Sequence, residues 1–121
     1  VTSVSYVFAR PTKSSILHDL GQAGVVVDTS PGEPVLAMAD GMIIRARNSE
    51  KVGVGFYVLQ IIMLPGFDSW TIRYARLVET PMVMPGQRVQ CGERIGMASD
   101  PPLWIDLQDL KGVLRPIPIE A

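Results

Sequence analysis

The sequence predicts an all-β domain, a compact antiparallel sandwich or barrel with little helix. Three observations carry this expectation. The chain holds 11 glycines and 10 prolines in 121 residues, so helix breakers recur throughout. The one helix-sized window free of both, residues 67–80, contains Trp70, Ile72 and Tyr74 alternating with polar or small residues, the period of a half-buried strand. Apolar runs then return every eight to twelve residues with turn residues between them, the spacing of a sandwich or barrel.

Taken in order, residues 5–9 read as a first strand ending before Pro11. Residues 12–20 read either as a short helix, with Ile16, Leu17 and Leu20 on one face and Gly21 as a stop, or as a loop laying those three on the core. Val25, Val26 and Val27 form a buried strand, closed by the turn-rich residues 29–34. Residues 35–39 and 42–47 are strands, and Asp40-Gly41 between them is a hairpin signal. The polar, glycine-rich residues 48–55 turn the chain into a long strand at 56–64. Residues 65–69 turn it again into the strand at 70–77. Short strands at 88–90, 94–98 and 103–107 complete a single domain over residues 1–121, with no linker, low-complexity segment or charge run.

Composition removes several functions. Twelve acids against eleven bases leave a formal charge of -1, and the bases are scattered, which argues against nucleic acid as a partner. Arg45 and Arg47 share a face of their strand, which reads as an ordinary solvated face. No stretch reaches the roughly 18 apolar residues of a membrane span, so membrane insertion is not expected. Residues 1–10 lack the charged start and apolar block of a signal peptide.

The inventory for catalysis is thin. With one histidine, His18, and one cysteine, Cys91, no intrachain disulfide forms and the usual zinc ligand sets cannot assemble. His18 would have to be the base of any Ser-His or Cys-His pair, and no Gly-x-Ser-x-Gly elbow accompanies it. Cys91 lies in a tight turn. Gly53-Val54-Gly55 precedes a strand rather than a helix and so cradles no phosphate. Trp70, Trp104, Tyr57 and Tyr74 read as core aromatics rather than a stacking platform. No cofactor is expected.

Against this background an ordered series of motifs stands out. Residues 31–43, Pro-Gly-Glu-Pro-Val-Leu-Ala-Met-Ala-Asp-Gly-Met-Ile, resemble the core of the LytM/lysostaphin-type peptidoglycan endopeptidases, whose fold is the duplicated hybrid motif. The likeness continues at Gly53-Val54-Gly55-Phe56-Tyr57-Val58, at Tyr74-Ala75-Arg76-Leu77, and at residues 85–96 with their Gly-Gln-x-Val and Ile-Gly spacing. It ends at Leu103-Trp104-Ile105-Asp106-Leu107 and Pro116, and spans roughly residues 20–118. Biotinyl and lipoyl carrier domains share the spacing of residues 85–96, but their lysine hairpin is absent.

The resemblance implies zinc ligands and catalytic histidines at positions where this chain departs from the family. Its His-x-Gly-x-Asp motif falls on residues 22–26, so Gln22 replaces histidine and Val26 replaces aspartate. A two-residue shift would bring in Asp28 but put Gly24 at the histidine. Tyr-x-His-Leu becomes residues 74–77 with Arg76, and the final His-x-His becomes Pro102-Leu103-Trp104. Proline, tryptophan and valine side chains do not take the place of these ligands, and guanidinium is a permanent cation that repels a dication. The resemblance therefore implies a pseudoenzyme, with neither catalytic nor metal-binding residues, kept as a structural or interaction subunit. We expect it in a bacteriophage tail tip or baseplate, hence in the virion, with other protein subunits as partners. The alternative is a periplasmic regulator or binder of peptidoglycan hydrolases or of peptidoglycan itself. Exposed Met82 and Met84, with Ile117 and Ile119 of the tail, are the expected docking residues.

Overall fold

The computed structural model describes residues 7–13, 16–79 and 82–119. Its strands are β1 (Leu17–Asp19), β2 (Val25–Val27), β3 (Pro34–Leu36), β4 (Gly41–Asn48), β5 (Phe56–Ile62), β6 (Thr71–Leu77), β7 (Arg88–Val89), β8 (Arg94–Met97), β9 (Leu103–Gln108) and β10 (Leu114–Arg115). The helical content among the described residues is one 3-10 turn, Gly21–Ala23. The larger sheet runs β1-β2-β9-β6-β5-β4-β7, with β10 also on β9, and β3 and β8 form a two-stranded sheet. Every ladder is antiparallel. The all-β fold expected from the breaker density is the fold observed.

The core lies between the sheets. β2, β4, β5, β6 and β9 turn Val27, Ile43, Val58, Ile72, Tyr74, Leu103 and Ile105 inward, and the small sheet adds Val35 and Ile95 to the same cluster. The alternation in β6 is the pattern that set Trp70, Ile72 and Tyr74 apart: Ile72 and Tyr74 are fully buried, and Trp70 packs against the core edge. Tyr74 is buried with its hydroxyl satisfied. It donates to Gln60 Oε1 at 2.7 Å and accepts from the Met38 N–H at 2.9 Å. Gln60 Nε2 in turn donates to the Ala39 carbonyl at 2.6 Å. This network fastens the segment after β3 to the two central strands of the large sheet.

Four local expectations are corrected. Residues 12–20 are neither helix nor core-covering loop where described: β1 pairs with β2, and Ile16 and Leu20 are 67% and 51% exposed. Only Leu17 packs on the core. A helix this short has little stability of its own, whereas an edge strand satisfies its backbone on β2. Asp40-Gly41 does not close a hairpin, because β3 pairs with β8 while β4 pairs with β5 and β7. The glycine serves close approach instead, since a Cβ there would lie 2.1 Å from the Ile61 carbonyl oxygen. Asp40 spans the two sheets, its carboxylate accepting the Cys91 N–H at 2.8 Å. The tail is not a free surface: Ile117 is 3% exposed and Ile119 packs on the core. Phe8 holds it there, donating its N–H to the Pro118 carbonyl at 2.7 Å. Finally, the strand expected at 5–9 is described only from residue 7, where Phe8 makes a single parallel bridge to Ile119.

Candidate functional site

Strand order brings together positions that are far apart in the chain. On the outer face of the large sheet Val26 of β2 stands opposite Trp104 of β9, and Trp104 stands opposite Ala75 of β6. His18 of β1 faces Val26 from the other side. The 3-10 turn carrying exposed Gln22 is tied to the same place, because the Trp104 indole N–H donates to the Ala23 carbonyl at 3.1 Å. Arg76 completes the group. Its Nε donates to the Gly53 carbonyl at 2.9 Å and its Nη1 to the Pro102 carbonyl at 3.3 Å. All five positions singled out in the sequence, Gln22, Val26, Arg76, Pro102 and Trp104, thus meet on one end of this face.

Arg76 sits at φ 67°, a left-handed conformation uncommon for a residue with a side chain. Its surroundings hold it there. The Arg76 N–H donates to the Val54 carbonyl at 2.8 Å, and its carbonyl accepts both the N–H and the hydroxyl of Ser99. Over-determined strain of this kind is typical of functional positions. The Trp104 indole lies beneath two guanidiniums, Arg73 at 5.1 Å and Arg76 at 5.6 Å from the ring centroid. Both are within cation–π range.

The donors at this place do not fit zinc. Valine has no donor atom, the indole nitrogen offers only its N–H, and Arg76 brings a permanent positive charge. His18 and Asp28 lie nearby with Nε2 and Oδ2 3.0 Å apart, but both are about half exposed and they bond to each other. Two ligands fall short of the three that a catalytic zinc requires. Among the described residues no group of three or more His, Cys, Asp or Glu could hold a metal ion. Cys91 is exposed, on the turn beside Asp40.

Sequence reading missed the charge gathered on the neighbouring part of the face. Arg45 pairs across to Leu59, Leu59 to Arg73, and Arg73 to Asp106, while Arg47 pairs to Tyr57. These registers line up Arg45 and Arg47 of β4 with Arg73 of β6 across β5 on the outer face, with Lys51 on the turn after β4. Asp106 is 2% exposed and takes two N–H donors from Arg73. Burial nonetheless holds the Asp106 carboxyl above its ordinary range, outweighing the guanidinium. Alternating arginines were visible at 45, 47 and 73, but their alignment depends on β4, β5, β6 and β9 being neighbours in that order.

Residues 21–102 match peptidase family M23. No curated protein sequence matches the chain significantly. Among solved structures it is similar to lysostaphin, an antimicrobial peptidase from Staphylococcus simulans, at 26% identity and a TM-score of 0.62, covering 73% of this chain and 36% of that one. It also resembles Csd3 of Helicobacter pylori at 18% identity and a TM-score of 0.73, covering 96% of this chain and 35% of that one. A variant catalytic domain of the prophage-encoded M23 protein EnpA from Enterococcus faecalis matches at 16% identity and a TM-score of 0.61, covering 97% and 91%. The chain thus spans about a third of the length of the first two. The motif series, the sheet order and the match over most of the sequence agree: this chain belongs to peptidase family M23.

Proposed function

We propose that this chain is a non-catalytic M23 domain that works as a structural or interaction subunit. The observation carrying this reading is the cluster of Gln22, Val26, Arg76, Pro102 and Trp104, in which an indole lies under two guanidiniums at positions where the resemblance implies metal-binding and catalytic side chains. The assay is zinc stoichiometry of the purified protein together with cleavage of muropeptides. Neither stoichiometric zinc nor turnover is expected; one zinc per chain with turnover would overturn the reading.

Within it we favour a phage tail tip or baseplate. A prophage-encoded M23 protein shares the fold, and Met82 and Met84, 39% and 70% exposed, flank buried Val83 as a small apolar surface suited to a neighbouring subunit. Copurification of the chain with tail proteins, lost in Met82→Ser/Met84→Ser, supports this; a strict monomer absent from virions sinks it. A second reading, a periplasmic regulator of peptidoglycan hydrolases, rests on half-buried Trp104 and Arg76 facing outward. It predicts amidase binding that disappears in Arg76→Ala/Trp104→Ala.

A further inference from the structure

We propose that the cleft between the outer faces of β4, β5 and β6 is a binding site for oxyanion groups, carboxylate or phosphate, carried by a ligand lying across this face. The cleft has a volume of about 480 Å³, within the range of small-ligand sites, and Arg45, Arg47, Lys51, Arg73, Tyr57 and Leu59 line it. Four cations there face one wall acid, Glu50, and Asp106 alongside, so the cleft is positive in a chain whose formal charge is -1. The cleft thus gathers four of the eleven basic residues of the chain.

The arrangement of the two β4 arginines points the same way. Arg47 Nε donates to the Tyr57 hydroxyl at 3.1 Å, and Arg45 lines the same cleft. Burial alone would raise the Tyr57 phenol, yet the hydrogen bonds and charges of Arg47 and Arg45 hold it below its ordinary value. Two guanidiniums therefore share one cleft, and the side chain that Arg47 bonds is a neutral phenol rather than an acid. An oxyanion placed there would relieve their repulsion and use their planar donor forks in pairs. Arg45 and Arg47 alternate on one strand, so their Cα atoms lie roughly 6.5–7 Å apart and both side chains enter the same cleft. Half-buried Leu59 offers an apolar floor for the carbon skeleton between them. The assignment is independent of whether hydrolysis is lost, because it uses none of positions 22, 26, 76, 102 and 104.

The test is a titration by calorimetry and amide chemical shifts, at low salt, with three probes: inorganic phosphate, citrate and hexaglutamate. Saturable binding is expected, with shifts centred on residues 45–51, 57–59 and 73. Arg45→Gln/Arg47→Gln should weaken it by about ten-fold or more, since each lost charge-assisted bond is worth more than a neutral one. Lys51→Gln, on the turn, gives a second variant that leaves the strands untouched and should also weaken binding. The control Arg94→Gln/Lys111→Gln removes the same charge elsewhere and should change affinity less than two-fold. Preference for hexaglutamate identifies an acidic polypeptide as the source of the oxyanions, and preference for phosphate or citrate a small anion. The proposal is overturned if no probe saturates, or if the control weakens binding as much as the cleft variants. It also fails if Arg45→Gln/Arg47→Gln only increases self-association; the arginines would then merely guard the edge of β4, which pairs with β7 only at Gly41 and Met42.

Discussion

Replacing Tyr74 by phenylalanine isolates one oxygen in the middle of the fold. The ring stays, and the hydroxyl that bonds Gln60 Oε1 and the Met38 N–H is lost. Both partners are fully buried, so neither finds water. Gln60 cannot turn its amide to compensate, because Nε2 is committed to the Ala39 carbonyl. An orphaned buried polar group costs about 1–3 kcal/mol, so the pair should cost about 2–6 kcal/mol. That is a large share of the roughly 5–15 kcal/mol by which such domains are stable. At about 4 °C per kcal/mol for this chain length, the melting temperature should fall by ~8–24 °C. Urea denaturation and calorimetry measure both quantities. Burial pushes the Tyr74 phenol far above its ordinary range, so the advantage of tyrosine over phenylalanine should be constant up to the unfolded phenol pKa of about 10 and shrink above it, where only the unfolded chain ionises. A loss below about 1 kcal/mol with an unchanged denaturant slope would refute the reasoning, since it would mean that the network adds little beyond packing. The coupling with Gln60→Met should also be non-additive, because the two share a bond.

Further expectations follow from the same geometry. Gly24→Ala should destabilise by about 3 kcal/mol or more, because the added Cβ would lie 2.2 Å from the Ile105 carbonyl oxygen at a φ of +104°. Gly112→Ala, with open space around it, should cost only about 1–2 kcal/mol, and thermal melts separate the two. Asp109 caps the turn after β9, accepting from the Lys111 and Val113 N–H groups and from Arg115. The Val113 bond, then the other donors, hold its carboxyl below the ordinary value against the opposing effect of burial. Its contribution is therefore present above the unfolded carboxyl pKa and lost as pH falls through the lowered folded one. Asp109→Asn should flatten acid denaturation in that window. Finally, Gln22→His/Val26→Asp/Trp104→His with Arg76→His should bind one zinc per chain by elemental analysis, because Val26 pairs with Trp104, the turn carrying Gln22 is bonded to the Trp104 indole and Arg76 lies over that ring.

The motif Tyr74-Ala75-Arg76-Leu77 shows where sequence reading succeeds and where it stops. Tyr74 was legible as a buried strand residue, and the resemblance marked position 76. The hydroxyl network was invisible, because Gln60, Met38 and Ala39 come to Tyr74 from other elements. The left-handed backbone of Arg76 was equally hidden, being imposed by Val54 and Ser99. Asp40-Gly41 failed differently: its local turn chemistry was real, but long-range pairing of β3 with β8 outweighed it.

From residue pattern alone came the all-β class, the centres of the long strands and the family resemblance, with the expectation that its metal-binding positions are replaced. These are local properties: periodicity, breaker density and residue identity do not depend on which strands become neighbours. The tertiary structure decided three things. It buried Ile117 in the core and packed Ile119 against it, set the Trp104 indole beneath Arg73 and Arg76, and drew Arg45, Arg47, Lys51 and Arg73 into one cleft. The physical reason is common to all three. A β-sheet gathers its side chains across strands, through hydrogen bonds between segments far apart in the chain, so a near-neutral composition with scattered arginines can still fold into a surface with a strongly positive face.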